Sequence, residues 1–430
     1  MMGQDIPLVT LAHQYVVTED LPAVAERDQR FPIFRDLGGE YYFRQERDGL
    51  LLGSYGHAAH LVWHDGGPPE FGQELFADDL SQLEAIYDSA AALFPMLDEA
   101  GIQRFVNGPI PYAPDAQPLV GPAPGLSNAY HACAVQIGFC QGPAAGKAIA
   151  EMILEGETEW DSWTWDPRRF GDWATQEFTG ARICELYENQ YAAPFPHRVW
   201  QAGRPVARSP LHDVLKAKGA VHAQIGGWER PIWFQTQTAR DDGQLSFRHE
   251  SWTEAVTAEC EAVRGRVGVM DHCGFTRYLV EGPGAADWLD WLFCGRLPRQ
   301  GRVDLRYVLS KMGKVLTEAT VTCLADNSFV LLGPTLAERR DFDIFQRLLP
   351  ADGSVVLTNE SGTRATLMVM GPQSRELLAR LTKADLSAEA APWMSAREIT
   401  VAGAEVLALR VSFVGELGWE LHMAMADAPG

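Results

Sequence analysis

The spacing of apolar positions changes several times along the chain, and each change marks an element. Leu8-Val9-Thr10-Leu11 and Tyr15-Val16-Val17-Thr18 are β-branched and aromatic, which predicts strands. Tyr41-Tyr42-Phe43-Arg44 and Leu50-Leu51-Leu52 flank Asp48-Gly49 and predict a β-hairpin turning at that pair. Leu80, Leu83, Ile86, Tyr87, Ala90 and Leu93 then recur at helical spacing, so residues 79–94 predict an amphipathic helix. Residues 129–137 predict a strand that leads through a Gly-rich turn into a helix ending near Gly156.

From residue 158 to 213 the text is rich in Trp, Arg and Pro, with a helical run predicted over 171–187. Beyond it the pattern is mixed. Strands are predicted at 276–281, 319–324, 328–332, 366–370 and 405–411. Helices are predicted at 252–264, 284–292, 336–348 and 374–381. The whole is an α+β and α/β multidomain chain.

Composition narrows the function. The 430 residues carry 36 Lys and Arg against 57 Asp and Glu, a formal charge of −21. A phosphate-backbone binder needs a cationic face, so neither nucleic acid nor an anionic membrane is an expected partner. No apolar run approaches the ~20 residues of a membrane span. Cysteines fall at 133, 140, 184, 260, 273, 294 and 323, an odd and widely spaced set without CxxC. This argues against a disulfide framework and a structural zinc site, and no metal is expected.

Candidate chemistry is concentrated in a few stretches. Gly138-Phe139-Cys140-Gln141-Gly142-Pro143-Ala144-Ala145-Gly146-Lys147 joins a predicted strand to a predicted helix through small residues. Two readings stand: backbone opened for close approach of an anionic ligand to a helix start, or ordinary tight packing. Gly142–Lys147 is one residue short of a P-loop, and Gly282-Pro283-Gly284-Ala285-Ala286-Asp287 ends in Asp where a dinucleotide fingerprint needs Gly. His57 and His60 are close in sequence but bring no acidic ligands with them. Glu318, beside an apolar strand, and Glu416, in Gly415-Glu416-Leu417-Gly418-Trp419-Glu420, are carboxylates of a kind that accepts paired hydrogen bonds from the amino-oxo edge of a pterin. As isolated features, both also fit solvated loop carboxylates.

Taken together, the motifs resemble the dimethylglycine dehydrogenase and sarcosine dehydrogenase family of flavoenzymes. The resemblance runs through His13-Gln14-Tyr15-Val16-Val17-Thr18-Glu19, Tyr41-Tyr42-Phe43-Arg44-Gln45-Glu46-Arg47-Asp48-Gly49-Leu50, Asn107-Gly108-Pro109-Ile110, Pro118-Leu119-Val120-Gly121-Pro122 and the 138–147 stretch. It continues through Asp166-Pro167-Arg168-Arg169-Phe170-Gly171, Ala202-Gly203-Arg204-Pro205 and Gly227-Trp228-Glu229-Arg230-Pro231. Gly371-Pro372 and the Glu416 motif are similar to the folate domain of glycine-cleavage T-protein.

The resemblance implies the C-terminal part of a D-amino-acid-oxidase-like flavin domain at 1–157, a small connecting module at 158–213 and a T-protein-like folate-binding domain at 214–430. It implies FAD and tetrahydrofolate as cofactors and an N-methyl amine as substrate, with hydride leaving the methyl carbon for the flavin. Asp115, Gly121, Gly138, Gly142, Pro143, Gly146 and Lys147 are then expected near the flavin. His13 and Tyr15 are expected in the substrate pocket, and their competing reading is sheet packing. Tyr307, Glu318 and Glu416 are expected to hold the folate, with Glu318 also moving protons. Oxygen or a carrier flavoprotein is the expected electron acceptor, in a bacterial cytoplasm or mitochondrial matrix.

The chain departs from the family pattern at both ends. It lacks the G-x-G-x-x-G strand and the flavin-linking His, and the folate domain ends early. An internal piece of a longer enzyme is therefore the expectation: a truncated product, a fragmentary gene or one half of a split pair completed by another chain. A folate-dependent aminomethyltransferase and a non-catalytic subunit are the alternatives.

Overall fold

The structure, a computed structural model, describes residues 3–55, 58–64 and 66–429; His57 lies outside them. The chain forms two compact units. One holds residues 3–122, 128–167 and 174–204; the other holds 123–127, 168–173 and 205–429.

In the first unit the long strand β1 (Val9–Thr18) organises a sheet. β2 (Phe34–Asp36), β3 (Tyr41–Glu46) and β4 (Gly49–Ser54) follow as an antiparallel run ending on β1. β5 (His60–Val62) and β6 (Ile102–Tyr112) also pair with β1. The two predicted strands at the start of the chain are thus one. Its alternation sorts the packing: Val16 joins Tyr41, Phe43, Leu50, Leu52 and, from helix α2 (Leu80–Leu93), Ile86 and Ala90. Val9 and Leu11 join Tyr112 and, from a helix over Gln176–Glu188, Ile183 and Tyr187. The short α1 (Pro22–Ala25) closes one end through Val24. β7 (Leu119–Pro122) and β8 (Tyr130–Cys133) form a separate ribbon against α3 (Gly138–Leu154). The Gln176–Glu188 helix is α4.

Several expectations shift. The hairpin turns at Arg47-Asp48, because Glu46 pairs with Gly49. Gly49 sits in the strand, where a Cβ would come 2.8 Å from the Glu19 carbonyl. The strand predicted over 129–137 is only Tyr130–Cys133, and α3 begins at Gly138, so the Gly-rich stretch is the helix's first turns and not a turn before it. Pro143 lies inside that helix and removes one interior N–H. α4 starts later than expected because the Thr175 side chain accepts from the Phe178 N–H and caps it there. Trp160 and Trp165 pack on α3 through Val120, Ala145 and Ala148.

The second unit contains three sheets. β9 (Ala207–Arg208), β10 (Ala220–Ile225) and β11 (Trp228–Phe234) form one, ordered β10-β11-β9 and flanked by α5 (His212–Ala217) and α6 (Thr253–Gly265). β12 (Gly268–Asp271), β18 (Arg364–Met370), β21 (Gly418–Ala424), β20 (Ala404–Leu409) and β19 (Ala396–Val401) run side by side in that order. β14 (Val303–Leu309), β15 (Val315–Ala325), β16 (Ser328–Gly333), β13 (Thr276–Glu281) and β17 (Val356–Asn359) make the third. α7 (Ala285–Leu292) and α8 (Glu338–Arg347) cover this last sheet with Trp288, Leu289 and Phe345, and α9 (Ser374–Ala379) covers the other with Leu378. Val303 and Leu332 meet Ala396 and Leu409, so one apolar cluster joins the two five-stranded sheets. No helix among the described residues is long and apolar enough to cross a membrane.

A charged node ties the outlying segments of this unit to α8. Asp343 accepts from Arg168 Nη1 at 2.9 Å, Arg347 Nε at 3.0 Å and the Gly125 N–H at 2.9 Å. Arg347 also donates to the Leu126 carbonyl at 2.9 Å. Burial works against the Asp343 carboxylate, but the bonds from Arg168, Arg347 and Gly125 outweigh it and hold its pKa below the ordinary value. Removing one partner of a buried pair strands the other charge, so Asp343→Ala should cost about 3 kcal/mol of unfolding free energy at neutral pH. A lowered carboxyl pKa stabilises above the ordinary value and stops doing so as pH falls through the lowered one. Denaturant titrations should therefore show the gap between wild type and variant narrowing below pH ~4.

Candidate active site

In the first unit, period-2 alternation on β1 puts His13 and Tyr15 on the α4 side of the sheet. The His13 imidazole is buried, and both nitrogens are engaged: Nδ1 with Tyr187 Oη at 2.9 Å and Nε2 with Tyr42 Oη at 3.1 Å. Tyr55 stacks on the imidazole at 4.4 Å between ring centroids. Tyr55 in turn meets Tyr42, Tyr187 and Tyr191 at 5.6, 5.7 and 5.6 Å. The register explains how Tyr42 reaches the histidine. Tyr15 is opposite Gly53, and Gly53 is opposite Tyr42. A Cβ on Gly53 would lie 2.3 Å from Tyr42 Cζ and Oη, so the phenol occupies the space of the missing side chain.

Burial lowers the His13 pKa from 6.5 to about 4, so the ring is neutral at neutral pH. Burial also raises the phenols of Tyr42, Tyr55, Tyr112 and Tyr187, and takes Tyr191 up to about 12. The Arg35 charge offsets part of the rise at Tyr55 and Tyr191. The result is an uncharged aromatic wall around a neutral imidazole. One ring nitrogen donates and the other accepts, so this set can hold or pass a proton, and its ring faces favour a cation. Tyr15 is half-buried beside it. Tyr42, Tyr55, Tyr187 and Tyr191 were not singled out from the sequence; their partners lie up to 174 residues away in the chain.

The residues expected at the flavin are spread along the ribbon and α3. Gly121 has φ +154°, with its Cβ position 3.0 Å from Pro167 Cδ. Asp115 is exposed and accepts from the Gln117 N–H at 3.0 Å. Gly138, Gly142 and Gly146 fall four residues apart on α3, and a Cβ at any of them would meet nothing within 4 Å. Pro143 is exposed beside them. The Gln141 Oε1 is buried without a hydrogen-bond partner. An open small-residue face and an orphaned acceptor fit a bound planar ring system. Lys147 is committed differently: its ammonium lies 2.8 Å from Glu159, 3.3 Å from Glu151 and 5.1 Å from the centre of the Trp160 ring.

In the second unit, Tyr307 on β14 stands directly opposite Glu318 on β15. The next residue back, Thr317, points the other way and donates to buried Asp341 at 2.5 Å, which fixes Glu318 on the outward side. Burial raises the Asp341 pKa. Leu305, Leu309 and Val315 are exposed along the same two strands. Glu416 is half-buried on the loop before β21, and its Oε2 takes one long bond of 3.3 Å from Ser412. The other residues of its motif are used structurally: Trp419 is in the core, and Glu420 is held by His422 Nε2 at 3.2 Å. A carboxylate with spare acceptor capacity and an aromatic–carboxylate pair on an open strand row fit a donor-rich heterocycle such as a pterin. Among the described residues no cluster of His, Cys, Asp or Glu is arranged to hold a metal ion.

This architecture is a flavin-oxidoreductase domain followed by a folate-type domain, and the comparisons with known proteins agree. Residues 1–152 match the family described as FAD dependent oxidoreductase, 155–209 its central domain, and 211–430 the GCVT N-terminal domain. The last match spans half of the chain, which belongs to that family. The chain is homologous throughout to dimethylglycine dehydrogenase, mitochondrial, of Mus musculus, at 36% identity over 100% of this chain and 50% of that protein. It is 30% identical to sarcosine dehydrogenase, mitochondrial, of Homo sapiens, over 99% of this chain and 50% of that one. It is 29% identical to 4-methylaminobutanoate oxidase (formaldehyde-forming) of Paenarthrobacter nicotinovorans, over 98% and 51%. The chain thus spans about half the length of the curated relatives it matches, and these include mitochondrial and bacterial proteins.

Two outcomes follow from the histidine cluster. The His13 imidazole should titrate near pH 4 by nitrogen NMR, and its share of stability should be full above pH 6.5 and fall by about 3 kcal/mol between there and its lowered pKa. Gly53→Ala should push the end of Tyr42 off His13 and cost about 1–3 kcal/mol, the penalty of a buried ring nitrogen left unpaired, seen as a changed His13 ring-nitrogen shift and a lowered denaturation midpoint.

Proposed function

We propose that the chain takes part in oxidative demethylation of an N-methylated glycine, dimethylglycine or sarcosine, with transfer of the released one-carbon unit to tetrahydrofolate. The observation that carries this reading is the uncharged tyrosine wall around a neutral His13. It suits an amine whose methyl carbon gives up hydride, because it offers cation-favouring ring faces while keeping competing carboxylates away. Bound FAD would supply the two-electron acceptor. Gly121, Asp115 and the Gly138, Gly142, Pro143 and Gly146 face of α3 would hold it, with the preorganised N–H groups at the helix start set toward negative charge. Lys147 would act only by bracing α3 through Glu151 and Glu159.

In the folate part, Glu416 would accept from the pterin edge, Tyr307 would wall the ring, and Glu318 would take or return a proton at the folate nitrogens. Carrying both chemistries on one chain favours capture of a reactive one-carbon product before water reaches it. The working divisions are then 1–157 for flavin and substrate, 158–213 as connector and 214–430 for folate. Oxygen or a carrier flavoprotein would accept the electrons, and the bacterial cytoplasm or mitochondrial matrix would house it. The resemblance to mitochondrial and bacterial relatives supports that placement. A folate-dependent transferase without flavin is the second reading, favoured by Tyr307, Glu318 and Glu416 all lying within the second unit.

The spectrum of the purified chain with FAD decides between them. Amine-dependent bleaching of the flavin band by dimethylglycine or sarcosine is expected; tetrahydrofolate binding with no flavin uptake would favour the transferase. Under either reading Glu416→Ala should weaken tetrahydrofolate about tenfold to a hundredfold, the worth of one charge-assisted hydrogen bond, in a direct binding titration.

A further inference from the structure

The row of side chains that carries Tyr42 does not end with it. Tyr15, Gly53 and Tyr42 lie opposite one another on successive strands, and Arg35 on β2 is the next member, opposite Tyr42. Residues directly opposite in an antiparallel pair project from the same face, with strands about 4.8 Å apart. Arg35 therefore stands beside the Tyr42 ring on the face that holds His13, and its charge is felt at Tyr55 and Tyr191. It is exposed, and no hydrogen bond or ion pair to a carboxylate engages it among the described residues. The neighbouring Asp36 alternates to the other face, where its Oδ1 accepts from the Gly38 and Gly39 N–H groups at 2.9 and 3.1 Å. The rest of the cluster is uncharged. Arg44 and Arg104, which the same register puts on this face, lie against Glu46 at 2.6 and 4.0 Å. Arg35 is the cation of the row itself among the described residues, one strand spacing from the ring that binds His13.

We propose that Arg35 is the carboxylate anchor of the substrate site, so that an N-methylated amino acid is bound with its carboxylate on Arg35 and its methylammonium against the Tyr42 and Tyr55 rings. Guanidinium matches a carboxylate with two parallel donors, and aromatic faces attract a methylated ammonium. Neighbouring strands place the two recognition elements side by side, which suits a ligand whose opposite charges are separated by a single carbon. This assignment rests on the dehydrogenase reading and adds to it the residue that selects amino acids over simple amines. Arg35 sits in a three-residue strand far from the expected helix start, so no motif in the chain points to it.

The test is equilibrium binding, without turnover, of dimethylglycine and of N,N-dimethylethanolamine to the purified chain by calorimetry. The second ligand keeps the ammonium and replaces the carboxylate with a hydroxyl group. Wild type should prefer dimethylglycine at least tenfold. Arg35→Gln should abolish that preference by weakening dimethylglycine alone, and Arg35→Lys should restore part of it. An Arg35→Gln protein that keeps the wild-type preference overturns the assignment, as does a wild type with no preference or no binding. Flavin bleaching by dimethylglycine in the same preparations reports on the dehydrogenase reading separately: preference retained with bleaching intact removes Arg35 and leaves that reading standing.

Discussion

A neutral imidazole buried between two phenols is the constraint around which the first unit is arranged. An unpaired buried ring nitrogen would cost more than a made hydrogen bond returns, so His13 needs both partners in place. Tyr42 can supply one only if the residue across from it has no side chain, and Gly53 meets that condition. Tyr187 can supply the other only if α4 lies over the odd-numbered face of β1, which Val9, Leu11, Ile183 and Tyr187 secure by packing. The same strand sends Val16 into a different core on its other face. One strand's alternation thus separates the part that holds the unit together from the part available for chemistry.

The second unit uses the same device with charge in place of aromatic rings. Thr317 turns inward to Asp341 while Glu318 turns outward opposite Tyr307. Glu420 is fastened to His422, but Glu416 four residues earlier keeps most of its acceptor capacity. Asp343 gathers Arg168, Arg347 and Gly125 and so fastens segments from distant parts of the chain to α8. Carboxylates with full partner sets are scaffold; those with spare lone pairs are where a ligand's donors have room.

The comparison with the dehydrogenase relatives fits this division of labour. The recognisable words of the family fall both on scaffold residues such as Trp419 and Arg168 and on the candidate-site residue Glu416, and residue identity does not tell the two groups apart. Partner geometry does. Lys147 shows the difference: the text sets it beside glycines at a helix start, whereas its ammonium is held by Glu151 and Glu159.

Periodic text was legible without the fold. The strand Thr276–Glu281 and the helix Leu80–Leu93 follow from local apolar spacing, because a half-buried strand or amphipathic helix needs only its own period to declare itself. The strand β6 was not legible: Pro109 and Pro111 argue against a ladder, yet among the described residues it pairs only with β1, where a missing donor on its free side costs little. The Gly138–Gly142 stretch reads locally as a turn because glycines weaken helix propensity, but they do not forbid a helix that packs through Ala145 and Ala148. His13, Tyr15, Glu318 and Glu416 could be nominated from the sequence as residues of suitable chemistry. That His13 meets Tyr187, that Tyr42 lies over Gly53, and that Arg35 stands at the end of their row depend on strand register and helix docking, which are long-range contacts and leave no local period in the chain.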